Sequence, residues 1–449
     1  MGPEELLRVA DRVLATAAPG EQLEVVVSHA RDTEVRAYDG EIEAFTSAES
    51  AGFGVRVVID GRQGFAYAGS LEADVISGTI ADARDNAAFS SFDEFNGIVE
   101  LDGVAVADLD LYDEALAALE PEQKIELALE LERLVCAGDH RILGVETAEY
   151  ADNIGTTVVA STAGVRSVSR ETGCSLVAYS LAGSGDEVTT GFGFSVGRGV
   201  DELDMGDVAR QAVERAVRLL GAGRAPSQRL TVVFDPWVTA QFLSIVGEAF
   251  SGTEVLRGRS FLADRVGEAI APVHVGLVDD PTDLRWPSAT ATDAEGLATR
   301  RNVLIDGGVV QGFLHDGYSA RTLGARPTGS AVRSGFKSTP SAGAQSLAML
   351  PGPHSREAVL AAVGDGVYIS DVQGLHSGVN PVSGDFSTGI EGSMIRGGEL
   401  AEPVKEVTIA STLQRMLAEI TMVGDDVTAM PMDAAGVTVA IADVTLSGN

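Results

Sequence analysis

The stretch GVYISDVQGLHSGVNPVSGDFSTGIEGSMIRGGELAEPVKEVTIAS, residues 366–411, is the densest run of turn-forming residues between strand-like runs in the chain. Within it, residues 375–387 (LHSGVNPVSGDFS) place a His, an Asp and several small polar residues between two apolar runs. Gly, Asn, Ser and Pro favour reversal of the chain, so these residues predict a tight loop. A binding site is the other structure that such a cluster indicates.

The chain has 449 residues, a length that predicts two or three domains rather than one core. Lys and Arg number 32 against 66 Asp and Glu, so the formal net charge is −34. Such a surface repels a phosphate backbone, and no basic stripe offsets it. Nucleic-acid binding is therefore excluded, and the acidity is interpreted as promoting solubility.

Neither membrane segments nor disulfides are expected. No apolar run reaches the roughly 18 residues that would cross a bilayer, and the acidic N-terminus leads directly into an amphipathic pattern. A cytoplasmic location is therefore expected. Cys136 and Cys174 lack CxxC spacing, and Cys136, in a helical apolar pattern, is expected to be buried.

The first part of the chain predicts helices packed on an antiparallel sheet. Helical spacing is found over residues 3–17 and 71–89. Between them, Asp39-Gly40 and Asp60-Gly61 separate alternating runs, and this dipeptide supplies the positive φ angles of a tight hairpin turn. The runs are Leu23–Val27, Glu34–Tyr38, Ile42–Phe45, Gly54–Ile59 and Gly64–Ala68.

The middle of the chain continues with a helix over residues 121–137 and strand-like runs up to residue 182. The Gly-rich piece 183–199 lacks the context of a phosphate-binding loop and predicts a β-bulge or an edge strand. A helix over 208–220 precedes a Gly-, Pro- and Ser-rich stretch at 221–228, which predicts a domain boundary.

The last part begins with a strand over residues 229–234, and Asp235-Pro236 then predicts the start of a helix. Further strands are expected at 301–305, 309–314 and 437–446, with few helices between them. The fold class is therefore α+β, with an N-terminal antiparallel sheet layered with helices and a β-rich C-terminal domain. We expect domains at 1–110 and 226–449, with a central segment, 111–225, that packs against the first.

No catalytic constellation can be assembled from the residues alone. The six His are scattered singly, and no pair has the helical i, i+4 spacing of metal ligands. Ser377, Ser383 and Ser387 lie near His376 and Asp385 in the sequence. These are the residue types of a hydrolase triad, but no GxSxG motif stands between a strand and a helix.

Two distant stretches resemble one known family. Residues 366–411, with HSGVNPVSGDFS followed by EVTIA, resemble the C-terminal signature of the TldD/PmbA family, in particular its PmbA (TldE) branch. Residues 52–67 (GFGVRVVIDGRQGFAY) resemble the N-terminal hallmark of the same family. The stretches EGLAT at 295–299 and LGARPTG at 323–329 extend the resemblance over nearly the whole chain.

The resemblance implies where a zinc site would lie. In the TldD branch, a helix after the first C-terminal strand has an HExxxH motif, and a Cys further along completes the zinc ligands. Here the motif's positions fall on Leu243, Ser244 and Glu248, and Asn380 stands in place of the Cys. Leu has no donor atom and an Asn carbonyl is a poor zinc ligand, so no metal is expected on this chain.

The resemblance therefore implies a PmbA/TldE-type subunit of a cytoplasmic zinc metalloprotease that cuts peptides or unfolded proteins or matures peptides. Zinc is expected on a TldD-type partner, in a heterodimer, although a homodimer is also considered. His376, Asn380, Ser383 and Asp385 are predicted to form a substrate-facing loop. One alternative is a free-standing binding or regulatory protein. Another is a metallopeptidase with non-standard ligands such as Glu248, His376 and Asp385.

Overall fold

The structure is a computed structural model that describes residues 1–448. Its helices are α1 Pro3–Leu14, α2 Ala73–Phe89, α3 Glu114–Ala117, α4 Pro121–Gly138, α5 Met205–Arg218, α6 Pro236–Glu248, α7 Gly252–Leu256, α8 Gly317–Leu323, α9 Arg356–Val363, α10 Leu375–Gly378 and α11 Leu413–Ala418. The strands of the N-terminal half are β1 Gln22–Tyr38, β2 Glu41–Ile59, β3 Arg62–Ala68, β4 Ile142–Ser161, β5 Arg166–Ser184 and β6 Glu187–Gly197.

Most strands of the C-terminal half are shorter. They are β7 Gln228–Phe234, β8 Leu277–Asp279, β9 Asn302–Asp306, β10 Val309–Val310, β11 Ala331–Val332, β12 Ser341–Ala342, β13 Leu347–Met349, β14 Gly366–Gln373, β15 Asp385–Arg396, β16 Glu399–Thr412, β17 Ile420–Val423 and β18 Val439–Ser447. The predicted α+β class, with an N-terminal antiparallel sheet and a β-rich C-terminal domain, is confirmed.

The first six strands form one antiparallel sheet in the order β3-β2-β1-β4-β5-β6. Both predicted hairpin turns are confirmed, with positive φ at Asp39, Gly40, Asp60 and Gly61. The strands are longer than predicted, because the polar residues between the apolar runs of β1 pair with β2 on one side and β4 on the other. Backbone hydrogen bonds extend a strand regardless of side-chain polarity.

Helices cover one face of this sheet. The odd-numbered β1 residues Leu23, Val25 and Val27 share one core cluster with α1 and α2, and Val35 and Ala37 share another with α4 and α5. Residues two apart share a face of a strand, so all four helices lie on the same side. The Gly-rich piece that was predicted to form a bulge or an edge strand contains β6, at the edge of the sheet.

The opposite face of the sheet packs against the C-terminal half. Val26 and Val159 contact Leu297 there, and Glu24 lies opposite Arg56 in the register of β1 and β2. The guanidinium of Arg56 lies 2.5 Å from a Glu24 carboxylate oxygen and 3.1 Å from one of Glu295. These three side chains are at most 4% exposed, so a buried ion network joins the two halves.

The charge states in this network follow from burial and from the arginines. Burial opposes ionisation of Glu24, but Arg56 and Arg333, the latter 2.7 Å away, together hold the pKa of Glu24 below its usual range. Burial raises the pKa of Glu295 to about 7, against the attraction of Arg56. Glu295 also accepts the backbone N–H of Gly317 at 2.7 Å, so it connects the sheet to the start of α8.

The largest sheet of the C-terminal half closes on itself. Its order is β16-β15-β14-β7-β18-β17, and β16 pairs with β18 as well, which closes a ring of strands. Only β14 and β7 run parallel among its pairs in residues 1–448. Helix α6 follows β7 directly and contributes Val238, Phe242, Leu243 and Val246 to the main core.

Two local predictions were wrong. Cys136 is exposed rather than buried, because the inward stripe of α4 is formed by Ala128, Leu131 and Val135, and the next residue turns toward solvent. The strand predicted over residues 309–314 consists only of Val309–Val310. Among the helices of residues 1–448, none has both the length and the apolar character needed to span a membrane.

Removing Arg56 should destabilise the fold strongly. Arg56→Ala leaves Glu24 and Glu295 facing each other without their shared cation, so we expect a loss of about 3–5 kcal/mol in the free energy of unfolding by urea titration. Arg36→Ala is the control, because Arg36 pairs with Glu34 and Glu149 at the exposed end of the same sheet. Equal unfolding midpoints for the two variants would contradict a structural role for the network.

Asp279 should make stability depend on pH. Burial raises its pKa to about 6; its Oδ1 accepts the N–H groups of Gln345 and Ser346, and its Oδ2 has no partner in the described chain. A raised carboxyl pKa favours the fold at low pH, so this contribution, of the order of 3 kcal/mol in full, is lost as pH rises from about 4 through 6.

Asp279→Asn keeps the Oδ1 acceptor and removes the charge. Relative to the wild type, the variant should gain stability as pH rises from about 4 through 6 and keep that advantage up to pH 8, measured by thermal unfolding at each pH. Asp264→Asn, at an exposed position, serves as the control and should follow the wild type. Parallel pH profiles for Asp279→Asn and the wild type would show that Asp279 does not cause this pH dependence.

Candidate functional site

Helix α6 begins where the sequence predicted. The Asp235 carboxylate accepts the N–H of Trp237 at 2.9 Å, and Pro236 occupies the first turn, where its missing N–H costs nothing. One side of the helix is buried in the core. Ser244, Gly247 and Glu248, at i, i+3 and i+4, lie on the other side and line a cavity.

We name this hollow the α6 cavity, and its volume is about 700 Å³. Its wall comes from the end of α6, α7, the β11–β12 hairpin, the tip of the 375–387 loop and one aspartate near the C-terminus. The lining residues are Ser244, Gly247, Glu248, Ala249, Ser251, Thr253, Glu254, Arg257, Arg259, Val332, Ser341, Ala342, Gly343, Ala344, Pro381, Val382 and Asp433. This volume is in the range of small-molecule and peptide sites.

The two glutamates of the α6 cavity differ in their ion pairing and in their pKa values. Glu254 is held by Arg259 at 2.6 and 2.7 Å and by Arg257 at 3.1 Å, and the hydrogen bonds from Arg259 lower its pKa. Partial burial raises the pKa of Glu248, and the carboxylates of Glu254 and Asp433 raise it further. Glu248 therefore takes a proton more readily than Glu254 does.

Of the loop residues predicted to face a substrate, Asn380, Ser383 and Asp385 form hydrogen bonds within the loop itself. Asn380 Oδ1 accepts the N–H groups of Val382 at 3.0 Å and Ser383 at 3.2 Å. The Ser383 hydroxyl donates to Asp385 Oδ2 at 2.7 Å. These bonds form a tight Asx-type turn that projects Pro381 and Val382 into the α6 cavity.

The structure separates the predicted site residues into two groups. Ser244 and Glu248 line the α6 cavity, whereas His376 is exposed on the short α10 and does not line it. Leu243 is fully buried in the main core. Sequence reasoning missed Pro381, Val382, Asp433 and the arginines after α7; the Pro between Asn380 and Ser383 was the signal that these residues form a turn.

The donors at the motif positions do not fit zinc. Leu243 offers no ligand atom, and the Ser244 hydroxyl donates to Asp433 at 2.7 Å. Asn380 Oδ1 is already held by two backbone N–H groups. In the part of the chain that the structure describes, no three His, Cys, Asp or Glu side chains gather as a metal site requires. The ligand set Glu248, His376 and Asp385 is thus not assembled.

Three sequence profiles of one family match this chain. The PmbA/TldA metallopeptidase C-terminal domain matches residues 227–448, the central domain matches 114–220, and domain 1 matches 23–87. Together these ranges include all but the first residue of β1, and they include α3 to α6 and the 375–387 loop.

Individual relatives agree with the profiles. Metalloprotease PmbA of Escherichia coli O157:H7 is 29% identical over 90% of this chain and 87% of its own. A metalloprotease TldD homolog of Haemophilus influenzae is 27% identical over 86% and 82%. The crystal structure of TldE from Thermococcus kodakarensis superposes with a TM-score of 0.88 at 25% identity and covers 99% of both chains. On these matches, the chain belongs to the PmbA/TldD family of metallopeptidase-related proteins.

Proposed function

We propose that this chain is the PmbA/TldE-type subunit of a cytoplasmic, TldD/TldE-like zinc metallopeptidase complex that acts on peptides or unfolded proteins. The chain itself supplies no zinc site. A TldD-type partner provides the metal and the water-activating carboxylate, and this chain forms part of the substrate path and of the dimer.

One observation supports this proposal above the others. The two segments to which the family resemblance assigns zinc ligands meet at the α6 cavity, but their residues are not zinc ligands. The end of α6 and the tip of the 375–387 loop converge on one hollow of about 700 Å³. At the motif positions stand a buried Leu243, a Ser244 bonded to Asp433 and a carboxylate, Glu248. A zinc site needs three ligands that point to one atom, and this set has no such geometry.

The shape and the charge of the α6 cavity suit a peptide rather than a metal. Arg257 and Arg259 stand on one side of it, and Glu248 and Asp433 supply acceptors. The strands of the β11–β12 hairpin and the loop tip add short backbone segments. Extended peptides bind by such backbone pairing together with shallow side-chain pockets.

Metal content separates this proposal from the non-standard metallopeptidase. The purified chain alone, dialysed against trace zinc, should retain far less than the roughly one equivalent that a three-ligand site holds, as measured by elemental mass spectrometry. A TldD-type chain with HExxxH, treated in the same way, is the positive control. Stoichiometric zinc that is lost in Glu248→Ala would overturn the proposal.

A further inference from the structure

A second cavity lies where the central segment meets the C-terminal half. We name it the α5 cavity; its volume is about 420 Å³. Helix α5, the edge strand β6, the starts of α6 and α9, β14 and the 426–430 loop form its wall. The lining residues are Phe194, Ser195, Val196, Asp207, Arg210, Gln211, Glu214, Arg215, Arg218, Asp235, Pro236, Arg356, Ser370, Asp426, Thr428, Ala429 and Met430.

Two arginines of this cavity lack an acidic partner. Within residues 1–448, neither Arg218 on α5 nor Arg356 at the start of α9 makes an ion pair or a side-chain hydrogen bond, and both are half-buried. Arg356 stacks on the ring of Tyr368 at 4.6 Å, which fixes its direction. Arginines without an ion pair are notable in this chain, because it has 66 Asp and Glu against 32 Lys and Arg.

The acidic groups around these arginines are engaged by other residues. Arg210 binds both Asp207 and Glu214. Asp235 accepts the Tyr368 hydroxyl and caps α6, with Arg215 at 3.6 Å. Asp426 accepts the N–H and the hydroxyl of Thr438 at 2.9 and 2.6 Å.

The two guanidiniums therefore line the cavity without an ion pair to residues 1–448. Arg356 also attracts the Glu357 carboxylate beside it, but Glu357 is exposed and does not line the cavity. A partly desolvated guanidinium gains most from a planar anion that accepts two parallel N–H bonds. The four carboxylates nearby disfavour a dianion such as phosphate, because each adds repulsion to the second charge. A monoanionic carboxylate satisfies both conditions.

The size of the α5 cavity indicates what is attached to that carboxylate. A volume of about 420 Å³ exceeds that of a free small anion and accommodates one or two amino-acid residues. Phe194, Pro236 and Met430 provide an apolar wall beside the arginines. We propose that the α5 cavity binds the terminal carboxylate of a peptide through the guanidiniums of Arg218 and Arg356.

Only the choice of a peptide rests on the proposed function, and the test needs no partner subunit. The probe is acetyl-Ala-Ala-Phe with a free C-terminal carboxylate, compared by calorimetry with the same peptide as its C-terminal amide. The acid should bind to the isolated chain at least about tenfold more tightly than the amide, since it alone makes charge-assisted bonds. Added salt should weaken binding of the acid.

Variants assign the binding to this cavity. Arg218→Gln and Arg356→Gln should each weaken binding of the acid by about tenfold or more and leave the amide unchanged. Arg326→Gln is the matched control, because Arg326 is an exposed arginine that does not line the cavity. Arg218→Lys keeps the charge but removes the guanidinium that donates two parallel N–H bonds, so it should cause an intermediate loss of affinity for the acid. Unchanged melting temperatures confirm that the variants fold.

Three results would overturn this inference. Equal affinity for acid and amide would exclude a carboxylate site, and so would full affinity in both Gln variants. Binding of inorganic phosphate that displaces the peptide acid at lower concentration would assign the cavity to a free anion. Each of these outcomes leaves the metal content of the chain, and hence the proposed function, unaffected.

Discussion

The guanidinium of Arg56 lies between Glu24, its cross-strand neighbour, and Glu295, which is distant in the sequence, and all three side chains are almost fully buried. A cation in such a place costs several kcal/mol of desolvation, and only its two carboxylates offset that cost. The network therefore forms only when the N-terminal sheet and the C-terminal half are in register. Glu295 continues the connection to α8 through the N–H of Gly317. It is one of several contacts that join the two parts; Arg198 also donates to Leu284 and Trp286, and Lys405 to Glu187.

Local chemistry made parts of the fold predictable from the sequence. Asp39-Gly40 and Asp60-Gly61 specify turns through their own φ preferences, and Asp235-Pro236 specifies the start of α6. Features that depend on distant partners were not predictable. The length of β1 depends on ladders to both neighbours, and ring closure depends on pairing between β16 and β18. The exposure of Cys136 was not predictable either, because it follows the buried Val135 by a single residue of α4.

The sequence pointed to two segments that meet at the α6 cavity, but it did not show which of their side chains line it. The 375–387 loop and α6 converge, as the family resemblance implied, yet Pro381 and Val382 reach the α6 cavity while Asn380 turns inward to the loop backbone. The direction of a side chain in a loop depends on the hydrogen bonds of that loop, and these cannot be deduced from the sequence alone. Arg218 on α5 and Arg356 on α9 likewise come to line one cavity only in the folded chain, because 138 positions separate them in the sequence.

The peptidase activity of separate and mixed chains tests the central claim most directly. The chain, a TldD-type chain from the same cell and their equimolar mixture would each be incubated with an unfolded protein, with cleavage followed by mass spectrometry. The account predicts no cleavage by this chain alone and chelator-sensitive cleavage by the mixture that exceeds that of the TldD-type chain. Chelator-sensitive cleavage by this chain alone would contradict the account.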